Sequence, residues 1–192
     1  MTELYLVRHG ETEWSKSGQH TSTTDLPLTE HGREQAELLN GRLLPEDFGL
    51  ILTSPRLRAR ETARLAGFTG DAEPKTDDDL VEWAYGDYEG RTSPDIRTAR
   101  PDWDLWRDGC PGGESPADVV QRLTRVVDRV RNSGVERSIA FAHGHALRVL
   151  TLCWLGLDIS LGDQFPLHTA TISVLGWEKN EPALQRWNGP VG

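Results

Sequence analysis

Two short apolar runs in this 192-residue chain each end in a histidine. Leu4-Tyr5-Leu6-Val7 leads into Arg8-His9-Gly10-Glu11, and Ile139-Ala140-Phe141-Ala142 leads into His143-Gly144. A third run, Leu50-Ile51-Leu52, leads into Thr53-Ser54-Pro55, with Arg58 one turn into the helix expected to follow. Two imidazoles at strand ends, with two arginines beside them, suggest a phosphate site in which one imidazole is the nucleophile. Arginine suits phosphate because its planar fork makes bidentate, charge-assisted hydrogen bonds. Gly10 and Gly144 are expected to let backbone approach a ligand closely, and Gly144 to open a helix whose free N–H groups favour an anion. A phosphoryl-transfer site also needs an acid for the leaving oxygen. Glu82 is the candidate, because Trp83, Tyr85 and Tyr88 nearby should desolvate it and raise its carboxyl pKa toward a working value. By residue type alone, Glu89 and Glu61 are not distinguishable from it.

These groups converge only if the elements carrying them stack in one sheet. Residues 4–7, 50–52 and 139–142 read as strands buried on both faces, with helical patterns between and after them. Thr29 caps a helix reaching about Leu44, with Ala36, Leu39 and Leu43 along one face. Another helix begins just after Pro55 and carries Leu57, Arg58, Thr62 and Leu65. The clearest start has Ser115 as N-cap, Pro116 at the first helical position and Asp118 in the first turn. Its apolar stripe is Val119, Leu123, Val126, Val127 and Val130. After the apolar helix that follows His143, residues 169–177 alternate, the chain turns around Asn180, and residues 183–187 complete an edge hairpin. The expected fold is one α/β domain over residues 1–192: a mostly parallel sheet flanked by helices, with an antiparallel C-terminal edge. Ligands of such sheets collect beyond the carboxyl ends of the strands. Residues 86–114, rich in Gly, Pro, Asp and Trp, are expected to form an excursion capping the site, partly helical at 93–100.

A net charge of −9 argues against non-specific binding to nucleic acid or to anionic membranes. A few buried cations still suffice for a positive pocket. Cys110 and Cys153 make neither a disulfide framework nor a zinc pattern. The first ten residues lack a signal-peptide layout, and the most apolar stretch, 146–157, is short and carries Arg148. A cytoplasmic location is expected. The expected partner is a small phosphorylated molecule, with no nucleic acid and no membrane; a homo-oligomer stays open.

Four ordered motifs carry a resemblance. They are residues 6–12 (Leu6-Val7-Arg8-His9-Gly10-Glu11-Thr12), residues 53–63 around Arg58, residues 82–90 from Glu82 to Gly90, and Ala142-His143-Gly144-His145. Together they resemble the histidine phosphatase superfamily, which contains the cofactor-dependent phosphoglycerate mutases. Residues 12–21, 106–110 and 141–148 are similar to its sedoheptulose-bisphosphatase and actinobacterial acid phosphatase branch. The resemblance implies that His9 attacks phosphorus and becomes phosphohistidine. Arg8, Arg58 and His143 would hold the equatorial oxygens, and Glu82 would protonate the leaving alkoxide and then activate water. It places Ser15, Thr21, Ser22, Tyr85, Gly144 and His145 around the substrate, and implies no metal and no cofactor.

Ser15 stands where mutases have an asparagine, and the chain lacks the arginine-rich segment with which mutases hold a bisphosphorylated glycerate. Both departures favour hydrolysis. The implied activity is a metal-independent phosphatase for sugar phosphates or bisphosphates. The alternatives are a phosphoglycerate mutase, a phospholigand-binding module and a protein phosphatase. His20, His31 and His168 are expected to face solvent or cap helices, Arg56 and Arg60 to be surface charges, and Glu114 to be a first-turn acid beside a cap. Trp14, Trp83, Trp103 and Trp106 suit a sugar-binding wall or the core.

Overall fold

The run expected at residues 4–7 forms strand β1, Glu3–Arg8, near the middle of the only sheet named among the described residues of the computed structural model. The structure describes residues 1–190, so the last two residues of the expected 1–192 domain lie outside the described residues. Along the chain follow α1 (Glu13–Ser17), α2 (Glu30–Glu37), β2 (Leu50–Thr53), α3 (Leu57–Leu65), β3 (Lys75–Thr76), α4 (Ser93–Ala99) and α5 (Leu105–Asp108). Then come α6 (Pro116–Arg131), β4 (Arg137–Ala142), α7 (Gly144–Leu155), β5 (Ile172–Glu178) and β6 (Glu181–Gly189). The sheet order is β3-β2-β4-β1-β5-β6. The first four of these strands run parallel, and β5 and β6 add the antiparallel edge.

The central strands divide their side chains between two cores. Leu4, Leu6, Ala140 and Ala142 face one, with Trp83, Leu123 and Trp154. Val7, Ile139 and Phe141 face the other, with Leu39, Ala63 and Phe68. Because helices cover both faces, these strands read as continuous apolar runs instead of alternating ones. Each fully buried Leu or Phe contributes about 1.5–3 kcal/mol over exposure.

Helix α6 starts as its sequence dictates: Ser115 accepts from Asp118 N, and the Asp118 carboxylate accepts from Ser115 N at 2.9 Å. Helix α2 starts at the Thr29 cap but ends at Glu37, short of Leu44. Asn40-Gly41 breaks it, Gly41 adopting a φ of 77°, and Leu39 and Leu43 reach the core from the turn that results. Strand β3 carried no signal, since Lys75 and Thr76 are both exposed. Lys179 and Asn180 both have positive φ, as a two-residue hairpin turn between β5 and β6 requires. Residues 86–114, the expected cap segment, carry α4 and α5. Tyr88, Ile96, Trp103, Leu105 and Trp106 pack them into the same core as α6 and α7. No helix among the described residues is long and apolar enough to cross a membrane.

Candidate active site

Strands β2, β4 and β1 are neighbours, so their carboxyl ends deliver side chains next to one another. The ladders continue one residue past the strands: His9 N donates to Ala142 O and Ser54 N to Phe141 O, both at 2.9 Å. His143 therefore sits between Ser54 and His9. The two histidine rings meet edge-on, with centroids 5.2 Å apart.

His9 Nδ1 lies 2.7 Å from the Gly10 carbonyl oxygen. A carbonyl can only accept, so the proton is on Nδ1 and Nε2 keeps its lone pair. Burial first, then the charges of Arg58 and Arg8, push this imidazole well below the ordinary histidine range. It is neutral and unprotonated at the nitrogen left free. His143 is the opposite tautomer. Arg58 Nε donates to its Nδ1 at 3.2 Å, so its Nε2 carries the proton and donates to Ser54 Oγ at 2.7 Å. Burial, then Arg58 and His9, also push His143 well below its usual value.

A cavity of about 230 Å³ opens at these strand ends. Among the expected residues Arg8, His9, Ser15, Thr21, Glu82, Tyr85, Gly144 and His145 line it. Arg58, His143 and Ser22 do not. Arg58 is wholly buried, its fork donating to the carbonyls of Thr21 (3.1 Å), Ser22 (3.4 Å) and Thr24 (3.1 Å). With His143 it forms a buried layer next to His9. Ser22 is turned away, its hydroxyl donating to Glu82 O at 3.3 Å. Arg8 is on the wall: its NH1 donates to Leu167 O at 2.5 Å, and its buried Nε has no acceptor within the protein. Burial draws both guanidiniums below their ordinary pKa, and the nearby Glu82 charge opposes this. A larger groove, about 490 Å³ along α3, contains neither histidine nor Glu82.

Glu82 occupies the start of α7. Its Oε1 accepts from Trp83 N (2.9 Å) and Ala146 N (2.8 Å), and its Oε2 from His145 N (3.1 Å). The anion expected at this helix N-terminus is thus the protein's own carboxylate, met by backbone donors and not by an apolar pocket. The aromatic neighbours turn to other partners: the Trp83 indole donates to Glu114 O and the Tyr85 phenol to His145. Glu61 pairs with Arg33 outside the cavity. Gly144 opens α7 as expected, and both glycines also answer to close neighbours within the protein. A Cβ on Gly10 would meet Gly32 O at 2.2 Å, and one on Gly144 would lie 3.3 Å from the Arg8 guanidinium. Gly10 admits the backbone of α2, and Gly144 makes room for Arg8.

Ser15 closes a capping box, accepting from Thr12 N at 2.8 Å, and the Thr21 hydroxyl donates to Gln19 O at 3.1 Å. Tyr85 OH lies 2.6 Å from His145 Nδ1, and burial raises the phenol well above its ordinary value. The phenol therefore donates, and the His145 proton is on Nε2. Sequence reasoning missed His20 and Arg148, both on the cavity wall. His20 is 7% exposed, stacks on Tyr85 with centroids 4.5 Å apart, and is lowered to about 4 by burial. The signal that could have found it is its place inside the 12–21 stretch. Arg148 lies 4.6 Å over the Trp106 ring and pairs with Asp163 at 3.1 Å. Of the four tryptophans in question, Trp14 alone lines this cavity; Trp83, Trp103 and Trp106 are core residues.

The family model of the histidine phosphatase superfamily (branch 1) matches residues 4–190. The chain belongs to the histidine phosphatase superfamily. This histidine phosphatase is 43% identical over 179 residues to an acid phosphatase of Mycobacterium tuberculosis, covering 91% of this chain and 86% of that one. It is 41% identical over 184 residues to sedoheptulose 1,7-bisphosphatase of Saccharomyces cerevisiae, covering 80% of this chain and 68% of the relative. A solved structure of a Mycobacterium tuberculosis open reading frame superposes on it with a TM-score of 0.91 at 39% identity, covering 100% of this chain and 99% of the other.

Proposed function

We propose that this histidine phosphatase is a metal-independent, cytoplasmic phosphoric monoester hydrolase. It removes phosphate from small metabolites, sugar phosphates or bisphosphates, by way of a phosphohistidine. The observation that carries the reading is the state of His9: a neutral imidazole, fixed by Gly10 O, with its free Nε2 on a cavity wall beside two arginines. In the first step the Nε2 lone pair forms a bond to phosphorus, the P–O bond to the substrate alcohol breaks, and Glu82 gives that oxygen its proton. Oε2 suits this transfer, since it accepts one backbone N–H where Oε1 accepts two. In the second step ionised Glu82 takes a proton from water, the water oxygen bonds to phosphorus, and the Nε2–P bond breaks to release inorganic phosphate. Arg8 stabilises the equatorial oxygens from the wall, and Arg58 and His143 from the buried layer next to His9. Among the described residues, no group of three or more His, Cys, Asp or Glu is placed to hold a metal ion, and the positive charge of the site comes from arginines.

One relative is by name an acid phosphatase and the other a sedoheptulose 1,7-bisphosphatase, and the cavity wall beyond Glu82 supports a sugar phosphate as substrate. Trp14, Gln19, His20, Tyr85 and His145 offer aromatic faces and neutral hydrogen-bonding groups, which suit a polyhydroxylated carbon chain. Ser15, Thr21 and Gly144 complete the contacts nearer the phosphate. The test is a phosphate-release panel of sedoheptulose and fructose bisphosphates, sugar monophosphates and phosphoglycerates, run with a parallel mutase assay. Hydrolysis should dominate; transfer to a second substrate oxygen would make the protein a mutase instead. His9→Ala should abolish turnover with an unchanged circular dichroism spectrum, and an active variant sinks the mechanism. Glu82→Gln should slow alkyl phosphates by about 10²–10⁴-fold and nitrophenyl phosphate least, because nitrophenolate leaves without a proton. Activity should survive EDTA.

A further inference from the structure

Glu89 lies outside the cavity, yet its carboxylate faces the segment that holds Arg58. Its Oε1 and Oε2 accept from Ser22 N at 2.9 and 3.0 Å, and its Oε1 also accepts from Thr24 N at 3.0 Å. From the other side of the same segment, the carbonyls of Thr21, Ser22 and Thr24 accept from the Arg58 guanidinium. The Thr21 carbonyl and the Ser22 N–H belong to one peptide unit. In a trans peptide these two groups point in opposite directions. The unit therefore stands between a carboxylate at its N–H end and a guanidinium at its carbonyl end, each facing the pole it attracts. Thr24 repeats the arrangement within one residue, N–H to Glu89 and C=O to Arg58. The segment is pinned to the Glu89 side by backbone bonds as well, Gly90 N to His20 O at 2.8 Å and His20 N to Arg91 O at 2.9 Å.

We infer that Glu89 is a positioning residue for Arg58, acting through the peptide units of residues 21–24. A carboxylate on the Ser22 N–H polarises that peptide unit and strengthens the Thr21 carbonyl as an acceptor, and its bond to Thr24 N–H fixes the position of the residue that presents the third carbonyl. The three carbonyls set the orientation of the Arg58 fork, and Arg58 Nε in turn sets the tautomer of His143. Loss of Glu89 would free Ser22 and Thr24 N–H, let the segment swing, and release the guanidinium from the layer beside His9. Displacing a charge by about 1 Å at a phosphoryl-transfer site can cost on the order of 10²-fold in rate. This inference rests on the reading of Arg58 as a stabiliser of the phosphoryl group.

The experiment is a double-mutant cycle of Glu89→Ala, Glu89→Gln and Arg58→Lys, assayed with nitrophenyl phosphate and with orthovanadate as a trigonal-bipyramidal mimic of the phosphoryl group in flight. Lysine keeps the charge but cannot span three carbonyls. Glu89→Ala should lower kcat by about 10–100-fold and weaken vanadate inhibition in proportion, with KM moving much less. Glu89→Gln should recover a large part of this, because its amide oxygen still accepts an N–H. In the Arg58→Lys background Glu89→Ala should cost little more. Equal losses in both backgrounds, a wild-type kcat in Glu89→Ala, or a loss that vanishes when rates are scaled to the folded fraction would overturn the inference. A wild-type kcat in Arg58→Lys would instead overturn the reading of Arg58 on which it rests.

Discussion

Tyr85 shows what a buried side chain can do for a neighbour. Its phenol donates to His145 Nδ1 at 2.6 Å, and burial holds it protonated. His145 must then keep its proton on Nε2, and His145 lines the cavity. An imidazole tautomer is set by the bond its other nitrogen makes, so the phenol decides that the wall offers a donor there. Tyr85→Phe keeps the ring and removes this control. The KM for a sugar phosphate should rise by about 3–10-fold, the worth of one oriented hydrogen bond, while that for nitrophenyl phosphate should stay within about twofold because it has no hydroxyl to lose. Parallel steady-state assays of the two substrates measure the split. An equal rise for both would mean that Tyr85 serves the phosphate itself. His9, Arg8 and Glu82 were readable at this scale because short motifs carry them. The link from Glu89 to Ser22 was not, since it joins residues 67 apart that share no pattern.

Helix α6 holds the segment that carries Glu82. Arg122 donates from NH1 to the carbonyls of Asp79 (2.7 Å) and Val81 (2.9 Å), and makes two 2.8 Å bonds to the Glu114 carboxylate. Glu114 in turn accepts from Ala84 N at 2.8 Å. The chain is thus gripped on both sides of Glu82 by one arginine and its acid. Arg122 is buried, so its removal leaves Glu114 and two carbonyls without their donor. Arg122→Ala should cost about 3 kcal/mol and lower kcat as well. Arg125, three residues on, pairs with Asp79 at the exposed surface, and Arg125→Ala should cost far less than Arg122→Ala. Urea unfolding of both variants decides it, and equal costs would refute the grip. Sequence alone treated Glu114 as a first-turn acid, which describes its place beside the Ser115 cap but misses its partners. The cap itself, the three buried strands and the hairpin were legible because local chemistry determines them. The end of α2 was misplaced, since apolar spacing continued through Asn40-Gly41 while the backbone did not. Strand β3 was invisible because two exposed residues pair with β2 through backbone alone.

On the scale of the whole molecule, the open end of the sheet gathers His9, His20, His143 and His145, four of the six histidines, all with depressed proton affinity in the fold. His31 and His168 are exposed. In the unfolded chain every histidine takes up its proton near the ordinary value of 6.5. Below that pH the unfolded state binds more protons than the folded one, so stability falls as pH falls; above it this contribution is complete and constant. Each histidine that is charged only when unfolded contributes a slope of about 1.4 kcal/mol per pH unit. For His20 the loss runs from 6.5 down to about 4, and His9, His143 and His145 act in the same direction. The carboxylates with depressed values, such as Asp108 at about 2, begin to act only below the ordinary carboxyl value of 3.8. The range between pH 6.5 and 4.5 therefore belongs to the histidines. Urea-unfolding free energies should fall steeply from pH 7 to pH 5, and His20→Phe should remove about a quarter of the slope. A flat profile would mean that these imidazoles are already charged in the folded protein. His9 would then have no free lone pair at Nε2, and the proposed attack on phosphorus would fail with it.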